Sequence, residues 1–302
     1  MMYDVIVVGG GPAGLTAALY ARRAGKDVLL LERESIGGQI ISSPLVENFP
    51  ALPHVSGADL ANRLYEQVEA LGAELSSEEV TAAELVPGGV KLTTDMGTRE
   101  GKALILATGV QHRSLGLPGE EDLVGCGISY CAVCDGAFYA GRDVAVVGGG
   151  DTALQDALFL AGTCRSVTLI VRRDRFRGEA ALVQKLAEKP NITVLMETSP
   201  VAYVTEDGIL TGLTVSEKGA EHTLAVEGVF LAVGQTPCSE VFAPLVATDE
   251  KGYFLAGEDC RTNVSGVFAA GDCRVKAVRQ LTTAVGDGAV AALAACDWAE
   301  QA

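Results

Sequence analysis

Two cysteines separated by two residues, Cys131 and Cys134, form the only CxxC motif in the 302-residue chain. Such a pair can close a small disulfide ring, accept two electrons and pass them on by thiolate attack on another disulfide. Structural zinc is a poor alternative because it usually needs four ligands, and neither a second pair nor a suitably spaced histidine is present. Two ordinary buried thiols are the plainer interpretation. The adjacent Asp135 could move protons for this exchange if burial raised its pKa, although an aspartate in a glycine turn is more often only a turn former.

A first glycine pattern, GxGxxG at Gly9, Gly11 and Gly14, follows an aliphatic strand and opens a helical segment. These glycines permit a tight turn, a close approach of the backbone to a pyrophosphate and close helix packing. Glu32 ends the next strand, where its carboxylate can bind ribose hydroxyls and would repel a 2′-phosphate. This loop therefore fits FAD or NAD rather than NADP, and we predict FAD here. A merely solvated Glu32 is the alternative.

A second glycine pattern, GxGxxA at Gly148, Gly150 and Ala153, lies in the same local context. At the position that matches Glu32 the chain carries Val171 instead of an acid. Four arginines then follow within six residues: Arg172, Arg173, Arg175 and Arg177. Guanidinium groups suit the 2′-phosphate of NADP through charge-assisted hydrogen bonds, so this loop is predicted to hold NADPH. An ordinary basic surface turn is the alternative.

The formal net charge is −16, from 23 basic and 39 acidic side chains. This charge repels phosphate backbones and anionic lipid surfaces, so neither nucleic acid nor a membrane is an expected partner. No apolar run approaches the roughly 20 residues that span a bilayer. The N-terminal sequence lacks the basic and apolar regions of a secretory leader, so a cytoplasmic location is expected. The histidines show no metal-binding spacing, and no metal site is expected.

An internal duplication organises the chain, because residues 4–11 read DVIVVGGG and residues 143–150 read DVAVVGGG. Each copy has the order of a parallel βαβ unit. The elements that follow the second unit have no counterpart in it, so we expect the second unit to interrupt the first. The predicted fold is α/β, with two Rossmann-like dinucleotide-binding domains of three-layer ββα type. Residues 1–114 and 240–302 would bind FAD, and residues 115–239 would bind NADPH and carry the CxxC pair.

Weaker, turn-broken strands follow each βαβ pattern, and we expect them to form a small antiparallel layer before the chain returns to the main sheet. The candidate strands are residues 74–85, 89–94 and 102–109, then 192–197, 200–204, 210–217 and 226–234. Helices are expected at residues 12–24, 152–161 and about 281–298. Ser56 with Asp59 indicates a capping box at the start of a further helix.

Several segments together carry a family resemblance: GGGPAG (9–14), GGQI (37–40), VENFP (46–50), ATG (107–109), CAVCDG (131–136), GGGDTA (148–153), RRDRFR (172–177), VFAAGD (267–272), and then Arg279 with Gln280. Over essentially its whole length the chain resembles the low-molecular-weight bacterial thioredoxin reductases. The resemblance implies a homodimeric enzyme that moves electrons from NADPH through FAD and the Cys131–Cys134 disulfide to oxidised thioredoxin. It also assigns proton transfer to Asp135 and places Cys134 nearer the flavin than Cys131.

The matching motifs imply two sets of cofactor-binding residues. The set for FAD is Gly9, Gly11, Pro12, Ala13, Gly14, Glu32, Gln39, Asn48, Ala107, Thr108, Gly109, Gly271, Asp272, Arg279 and Gln280. The set for NADPH is Gly148, Gly150, Asp151, Thr152, Ala153, Arg172, Arg173 and Arg177. Because the dithiol belongs to the inserted unit and the flavin to the other, we also expect domain rotation about hinges near the two changeovers.

The chain departs from the family pattern at a few positions. Val171 stands where the family usually has histidine, which could weaken the preference for NADPH. CAVC replaces the usual CxTC, an exchange that can shift the dithiol potential, and residues 281–283 read LTT. The larger pyridine-nucleotide disulfide reductases are disfavoured, because they place their cysteine pair near the first nucleotide motif and GGQI has none.

Three other functions keep part of this pattern. A reductase fed by ferredoxin, or an oxidase that closes small-molecule dithiols, would share FAD and the CxxC pair, and the arginine cluster argues against the first. A nucleotide-sensing interaction protein with a structural thiol pair would bind nucleotide without turnover. A substrate screen separates these possibilities.

Overall fold

The computed structural model describes residues 2–43 and 45–301. Up to residue 112 the elements are β1 (Met2–Val8), α1 (Pro12–Arg23), β2 (Val28–Glu32), α2 (Gly57–Ala70), β3 (Glu74–Ser77), β4 (Val80–Val86), β5 (Gly89–Thr94), β6 (Gly97–Leu106) and β7 (Val110–His112). Next come β8 (Ile128–Ser129), α3 (Ala132–Asp135), β9 (Asp143–Val147), α4 (Asp151–Leu160), β10 (Ser166–Val171), α5 (Ala180–Ala187), β11 (Ile192–Met196), β12 (Thr198–Glu206), β13 (Ile209–Glu217), β14 (Ala220–Leu224), β15 (Gly228–Leu231) and β16 (Gln235–Pro237). The last two elements are β17 (Val267–Ala269) and α6 (Leu281–Gln301).

The chain divides into two units, and the second is inserted in the first. Unit 1 comprises residues 1–111 with 236–302, and unit 2 comprises residues 112–235. Both boundaries fall within β7 and β16, which pair with each other in a two-stranded sheet. The sequence-based boundaries, 114/115 and 239/240, lie three and four residues later along the chain.

A seven-stranded sheet forms the centre of unit 1, in the order β3-β2-β1-β6-β5-β4 with β17 beside β6. Alternate residues of β1 belong to two cores. Val5 and Val7 pack with α1 and α6, while Ile6 and Val8 pack in the core on the opposite face, as the period of a strand requires. Val8 and Leu106 are partners in the parallel register of β1 and β6. The loops that follow these two strands therefore start at the same edge of the sheet.

The antiparallel strands of unit 1 are continuous with this parallel sheet through the long strand β6. Its first half pairs with β5, and its second half pairs with β1 and β17. The prediction of one antiparallel strand over residues 74–85 is wrong, because β3 pairs in parallel with β2 and only β4 is antiparallel. The break falls at Glu78, whose buried carboxylate accepts hydrogen bonds from Ser76, Thr94 and Arg99.

Unit 2 has the three layers that the sequence predicts. A parallel sheet in the order β11-β10-β9-β15-β8 lies between two cores. One core contains residues of α4 and α5, and the other contains residues of the antiparallel strand β13, which pairs with β12 and β14. The sequence pattern misses β8, which is only two residues long, and β14, whose side chains are mostly exposed and show no apolar alternation.

Two helices, α2 and α6, begin where the sequence predicts. The Ser56 hydroxyl accepts a hydrogen bond from the Asp59 N–H at 3.0 Å, so α2 begins at the predicted capping box. Helix α6 lies against α1, where a Cβ on Gly288 would stand 2.2 Å from the Ala13 carbonyl oxygen. Within residues 2–43 and 45–301, no helix combines the length and apolar character needed to cross a bilayer.

Candidate active site

Cys131 and Cys134 form a disulfide in unit 2, with their Cα atoms 5.3 Å apart. Helix α3 starts directly after Cys131, and the Cys131 sulfur accepts a hydrogen bond from the Cys134 N–H at 3.2 Å. One helical turn thus brings residues i and i+3 side by side. Both cysteines are half-buried, while Val133 between them is 49% exposed. The pair is therefore held rigidly and remains within reach of a second disulfide.

Asp135 ends the same helical turn, and its carboxyl group lies in a largely apolar setting. Burial raises the pKa of Asp135, although a hydrogen bond from Ser129 opposes the shift. The Ser129 hydroxyl donates to Asp135 Oδ2 at 2.6 Å, while the buried Oδ1 has no hydrogen-bond partner among the described residues. Asp135 can therefore hold a proton at higher pH than an ordinary aspartate.

Ser129 connects the acid to the disulfide, and the sequence analysis did not identify it. Its hydroxyl oxygen also accepts a hydrogen bond from the Cys131 N–H at 3.0 Å. Ser129 lies on β8, so its placement depends on the pairing of that strand with β15. Its position two residues before the first cysteine is the sequence signal that could have indicated the contact.

The first glycine loop has the geometry of a pyrophosphate cradle. Gly9 has φ +107°, and a Cβ there would stand 2.2 Å from the Ala107 carbonyl oxygen. A Cβ on Gly14 would lie 1.8 Å from the Gly9 carbonyl oxygen, so only glycine allows α1 to start this close to the loop. At Gly11, by contrast, an added Cβ would meet no described atom within 4 Å. The two outer glycines close the turn and the middle one leaves space for a ligand.

Glu32 lies at the end of β2, next to this loop. Its carboxylate accepts the Gly10 N–H at 2.6 Å and the Glu34 N–H at 2.8 Å, which fixes its orientation. A carboxylate has about four acceptor positions, so further acceptor capacity remains. Glu32, Gly9 and Thr108 line a cavity of about 200 Å³ together with residues 236–238 and 240–242. The cavity has room for a polar ligand, and Glu32 can accept its hydroxyl hydrogens.

Three side chains assigned to FAD by the resemblance lie in short hydrogen-bonded contacts in unit 1. The Gln39 amide donates to the Val110 carbonyl oxygen, just after the ATG segment at residues 107–109. The Asn48 amide donates to Gln280 Oε1 at 3.2 Å, which joins segments 232 residues apart in the chain. The fold therefore brings the GGQI segment beside the end of the ATG segment, and the VENFP segment beside Gln280.

Asp272 and Arg279 form a second group in unit 1. Arg279 donates to the Asp272 carbonyl oxygen at 3.2 Å, and its guanidinium carbon stands 4.3 Å from the centroid of the Tyr253 ring. Burial raises the pKa of the Asp272 carboxyl group. Asp272 Oδ1 is buried and has no hydrogen-bond partner among the described residues. A buried acceptor of this kind is costly unless a ligand supplies the missing donor.

The second glycine loop repeats the geometry of the first. Gly148 has φ +153°, and a Cβ there would lie 2.5 Å from the Ala232 carbonyl oxygen and 2.7 Å from the Ala153 methyl group. A Cβ on Gly150 would meet no described atom within 4 Å. Ala153 therefore takes the place of Gly14, and the space at the middle glycine is again open.

The arginine segment is fixed beside this second loop. Val171 lies beneath Gly149 as Glu32 lies beneath Gly10, since a Cβ on either glycine would come within 3.2 Å of that side chain. The Arg177 N–H donates to the Gly149 carbonyl oxygen at 2.7 Å, and Asp151 accepts the Glu179 N–H at 2.7 Å.

The guanidinium groups themselves are free to bind a ligand. The side chains of Arg172, Arg173 and Arg177 are exposed and make no hydrogen bond or ion pair within the described part of the chain. Three unpaired cations on a protein of net charge −16 form a local anion-binding surface. Across residues 2–43 and 45–301 no group of three or more potential metal ligands is found.

Comparisons with known proteins agree with this geometry. The family model described as pyridine nucleotide-disulphide oxidoreductase matches residues 3–288. The thioredoxin reductase of Listeria monocytogenes serovar 1/2a is 40% identical over 304 residues, covering 99% of this chain and 95% of its relative. That of Bacillus subtilis strain 168 is 37% identical, with 99% and 96% covered. The crystal structure of thioredoxin reductase from Streptococcus pyogenes MGAS5005 superposes with a TM-score of 0.95 at 36% identity, covering 100% of this chain and 99% of that one.

Proposed function

The chain belongs to the thioredoxin reductases of the pyridine nucleotide-disulphide oxidoreductase family, and we propose that it reduces thioredoxin with electrons from NADPH. The electrons pass through FAD and the Cys131–Cys134 pair. The observation that carries this proposal is the half-buried disulfide beside a half-buried acid of raised pKa, in a unit that also holds a nucleotide-type glycine loop. A structural disulfide needs neither the acid nor the loop.

FAD fits unit 1 on three structural grounds. The space at Gly11 is open on the side where a pyrophosphate would approach, Glu32 can accept ribose hydroxyls, and Asp272 Oδ1 has no donor among the described residues. We propose that FAD is held by the residues that the resemblance assigns to it: Gly9, Gly11, Pro12, Ala13, Gly14, Glu32, Gln39, Asn48, Ala107, Thr108, Gly109, Gly271, Asp272, Arg279 and Gln280. Bound FAD supplies a two-electron carrier between the nicotinamide and the disulfide.

NADPH fits unit 2 because the second loop joins an open pyrophosphate position to unpaired arginines. We propose that it is held by Gly148, Gly150, Asp151, Thr152, Ala153, Arg172, Arg173 and Arg177. With Val171 in the place of Glu32, no carboxylate at that position repels the 2′-phosphate. The assignment of FAD to residues 1–114 with 240–302 and of NADPH to 115–239 is part of this proposal.

The chemistry of the chain itself is thiol–disulfide exchange. Two electrons and two protons break the Cys131–Cys134 bond and give two thiols. One thiolate then attacks a sulfur of oxidised thioredoxin and forms a mixed disulfide. Attack by the second cysteine re-forms Cys131–Cys134 and releases thioredoxin as a dithiol. Asp135, whose pKa is raised by burial, can give a proton to the thiolate that leaves and take one from the thiol that attacks.

The cellular setting follows from the same proposal. A dithiol that must be regenerated as a reductant belongs in a reducing compartment, so we place the protein in the cytoplasm. We also propose a homodimer, on the strength of the family resemblance. The net charge of −16 argues against nucleic acid or an anionic membrane as a partner.

A single coupled assay tests the proposed function. The purified protein is saturated with FAD and given oxidised thioredoxin with NADPH or NADH, and new thiols are followed with a chromogenic disulfide. Thiols should appear with NADPH at least about tenfold faster than with NADH at equal concentration. Reduced ferredoxin and oxygen with small dithiols serve as the competing substrates. A protein that stays colourless after FAD supplementation, or that produces no thioredoxin thiols, would contradict the proposal.

A further inference from the structure

Asp287, on helix α6, has a buried carboxylate and lies outside the motifs that carry the family resemblance. The residue is 8% exposed. Its Oδ2 accepts hydrogen bonds from the Gly271 N–H at 3.0 Å, Arg274 Nε at 2.8 Å and Lys276 Nζ at 2.8 Å, and its Oδ1 accepts another from Arg274 at 2.7 Å. All four donors come from residues 271–276. One carboxylate thus binds residues on both sides of Asp272 in the 271–276 segment.

The partners of Asp287 are themselves buried, since the side chain of Arg274 is 3% exposed and that of Lys276 is 5% exposed. A buried ion pair gains little net stability over a well-packed apolar pair, because both charges must be removed from water. Burial alone would raise the pKa of Asp287, but the hydrogen bonds and charges of Arg274 and Lys276 outweigh it and the pKa is lowered. The group is therefore ionised, and its presence suggests a role beyond stability.

Two glycines bring the segment held by Asp287 and helix α6 close to the start of α1. Gly271 has φ +80°, and a Cβ there would lie 2.9 Å from the Ala13 methyl group. A Cβ on Gly288, next to Asp287, would stand 2.2 Å from the Ala13 carbonyl oxygen. Asp287 therefore lies where α6, the start of α1 and the 271–276 segment meet, directly beside the first glycine loop.

Two polar groups near the Asp272 carboxylate already have partners. The Asp272 carbonyl oxygen accepts from Arg279, and the Lys276 ammonium is held by Asp287. The charges of Lys276 and Arg279 partly oppose the effect of burial on the pKa of the Asp272 carboxyl group, so both cations are near it. If Asp287 were lost, Lys276 would be released beside a buried carboxylate that lacks a donor. Asp272 would then be neutralised by the protein itself.

We propose that Asp287 is a positioning residue for the flavin: by fixing Gly271 and retaining Lys276, it keeps the Asp272 carboxylate available to a hydroxyl-bearing part of FAD. This inference rests on the proposed FAD site in unit 1. It makes the Arg274–Asp287 pair a determinant of flavin affinity, whereas a purely structural pair would only affect unfolding.

The decisive variant replaces the ion pair by an apolar pair, in the double variant Arg274→Met with Asp287→Leu. Apolar pairs of similar volume restore or exceed the stability of buried ion pairs. We expect the apoprotein to unfold at or near the wild-type temperature, while the dissociation constant for FAD, measured by quenching of flavin fluorescence, rises at least about tenfold. Wild-type affinity for FAD in a variant of restored stability would overturn the proposal.

Two single variants keep the test decisive if the double variant does not fold. Asp287→Asn keeps the shape and one oxygen acceptor but lacks the charge that retains Lys276, so FAD should bind at least about tenfold more weakly in a protein that still unfolds cooperatively. Asp4→Asn, which breaks the partly exposed Asp4–Lys102 pair in the same unit, is the matched control and should leave the dissociation constant unchanged. Equal affinities in the two variants would overturn the inference. If the wild-type protein itself fails to bind FAD, the proposed function fails instead.

Discussion

An exposed residue and a hydrogen-bonded acid lie next to the disulfide in sequence. Val133, between the cysteines, is 49% exposed, and the Ser129 hydroxyl donates to Asp135 Oδ2 at 2.6 Å. Thiol–disulfide exchange needs access for the attacking sulfur and a proton for the leaving one. We propose that the short helix α3 supplies both, because Val133 within it is exposed and the pKa of Asp135 at its end is raised by burial.

Replacing either cysteine, as Cys131→Ser or Cys134→Ser, should abolish thioredoxin reduction because the intramolecular disulfide can no longer form. NADPH oxidation by an artificial acceptor that takes electrons from the flavin should persist at a comparable rate. The two activities are measured on the same FAD-loaded sample, with the absorbance of bound flavin as the control for folding. Loss of flavin from both variants would make the pair structural.

Asp135→Asn should slow thioredoxin reduction by about 100-fold, the usual loss when a general acid is removed. The protonated form of Asp135 gives the proton to the leaving thiolate, and burial raises its pKa, so thioredoxin reduction limited by that step should slow as the pH rises through the raised value. Ser129→Ala removes a hydrogen bond that favours the ionised form of Asp135, so the fall in rate should occur at higher pH in this variant. The pH profiles of the three proteins are compared. A fall in rate at the wild-type pH in Ser129→Ala would contradict the assignment of proton transfer to Asp135.

The same residue should lower the stability of the enzyme at neutral pH. Since the folded-state pKa of Asp135 is above its unfolded value, the stability contribution is complete at low pH and is lost as the pH rises through the folded-state pKa. Asp135→Asn should therefore raise the unfolding temperature on the order of 2 °C at pH 8. The gain should disappear near pH 4, the ordinary range of an aspartate. A gain independent of pH would indicate a different cause.

Among the elements, the two glycine loops are where sequence and structure agree best. Their spacing, with a strand before and a helix after, predicts a tight turn at the first glycine. Gly9 and Gly148 make that turn close to the carbonyl groups of Ala107 and Ala232.

Other contacts depend on pairings that no local pattern contains. Ser129 reaches Asp135 only because β8 joins the edge of the parallel sheet of unit 2, and two residues are too few for a periodic signal. Asp287 lies in a helix of small residues, and its partners are 11 to 16 positions away in sequence. Glu78 divides β3 from β4 through contacts with later strands. Each of these three groups is a buried polar residue, whose partner is chosen by the tertiary fold.

The arginine segment should determine the preference for NADPH over NADH. Arg172→Ala, Arg173→Ala and Arg177→Ala should each raise KM for NADPH about tenfold, since each removes a charge-assisted hydrogen bond to the 2′-phosphate. KM for NADH should stay within about twofold. Arg175→Ala, which removes the same charge from the same segment outside the predicted binding set, is the matched control. Similar losses with both nucleotides, or in Arg175→Ala as well, would favour an ordinary basic surface.

At the scale of the whole molecule, the electron path sets a geometric requirement. We propose that the nicotinamide and the dithiol, both carried by unit 2, approach the flavin of unit 1 in alternation. The chain passes between the units near Gly109 and Gly234, whose φ angles are +68° and +108°. Cβ atoms at these two positions would have no close contacts, so the glycines serve the backbone conformation rather than packing. Such residues can absorb the φ and ψ changes of a hinge.

Joining the two units with a cleavable amine-reactive cross-linker should therefore stop thioredoxin turnover without stopping all chemistry. A cross-linked sample held in one arrangement should retain only one half-reaction, either NADPH oxidation by an artificial flavin acceptor or reduction of the Cys131–Cys134 disulfide after photoreduction of the flavin. Both are measured by stopped-flow absorbance on samples in which mass spectrometry identifies cross-links between residues 112–235 and the rest of the chain. Cleaving the linker should restore turnover, which controls for chemical damage. Thioredoxin reduction at the full rate in the cross-linked protein would exclude rotation, because a fixed arrangement would then serve both electron transfers.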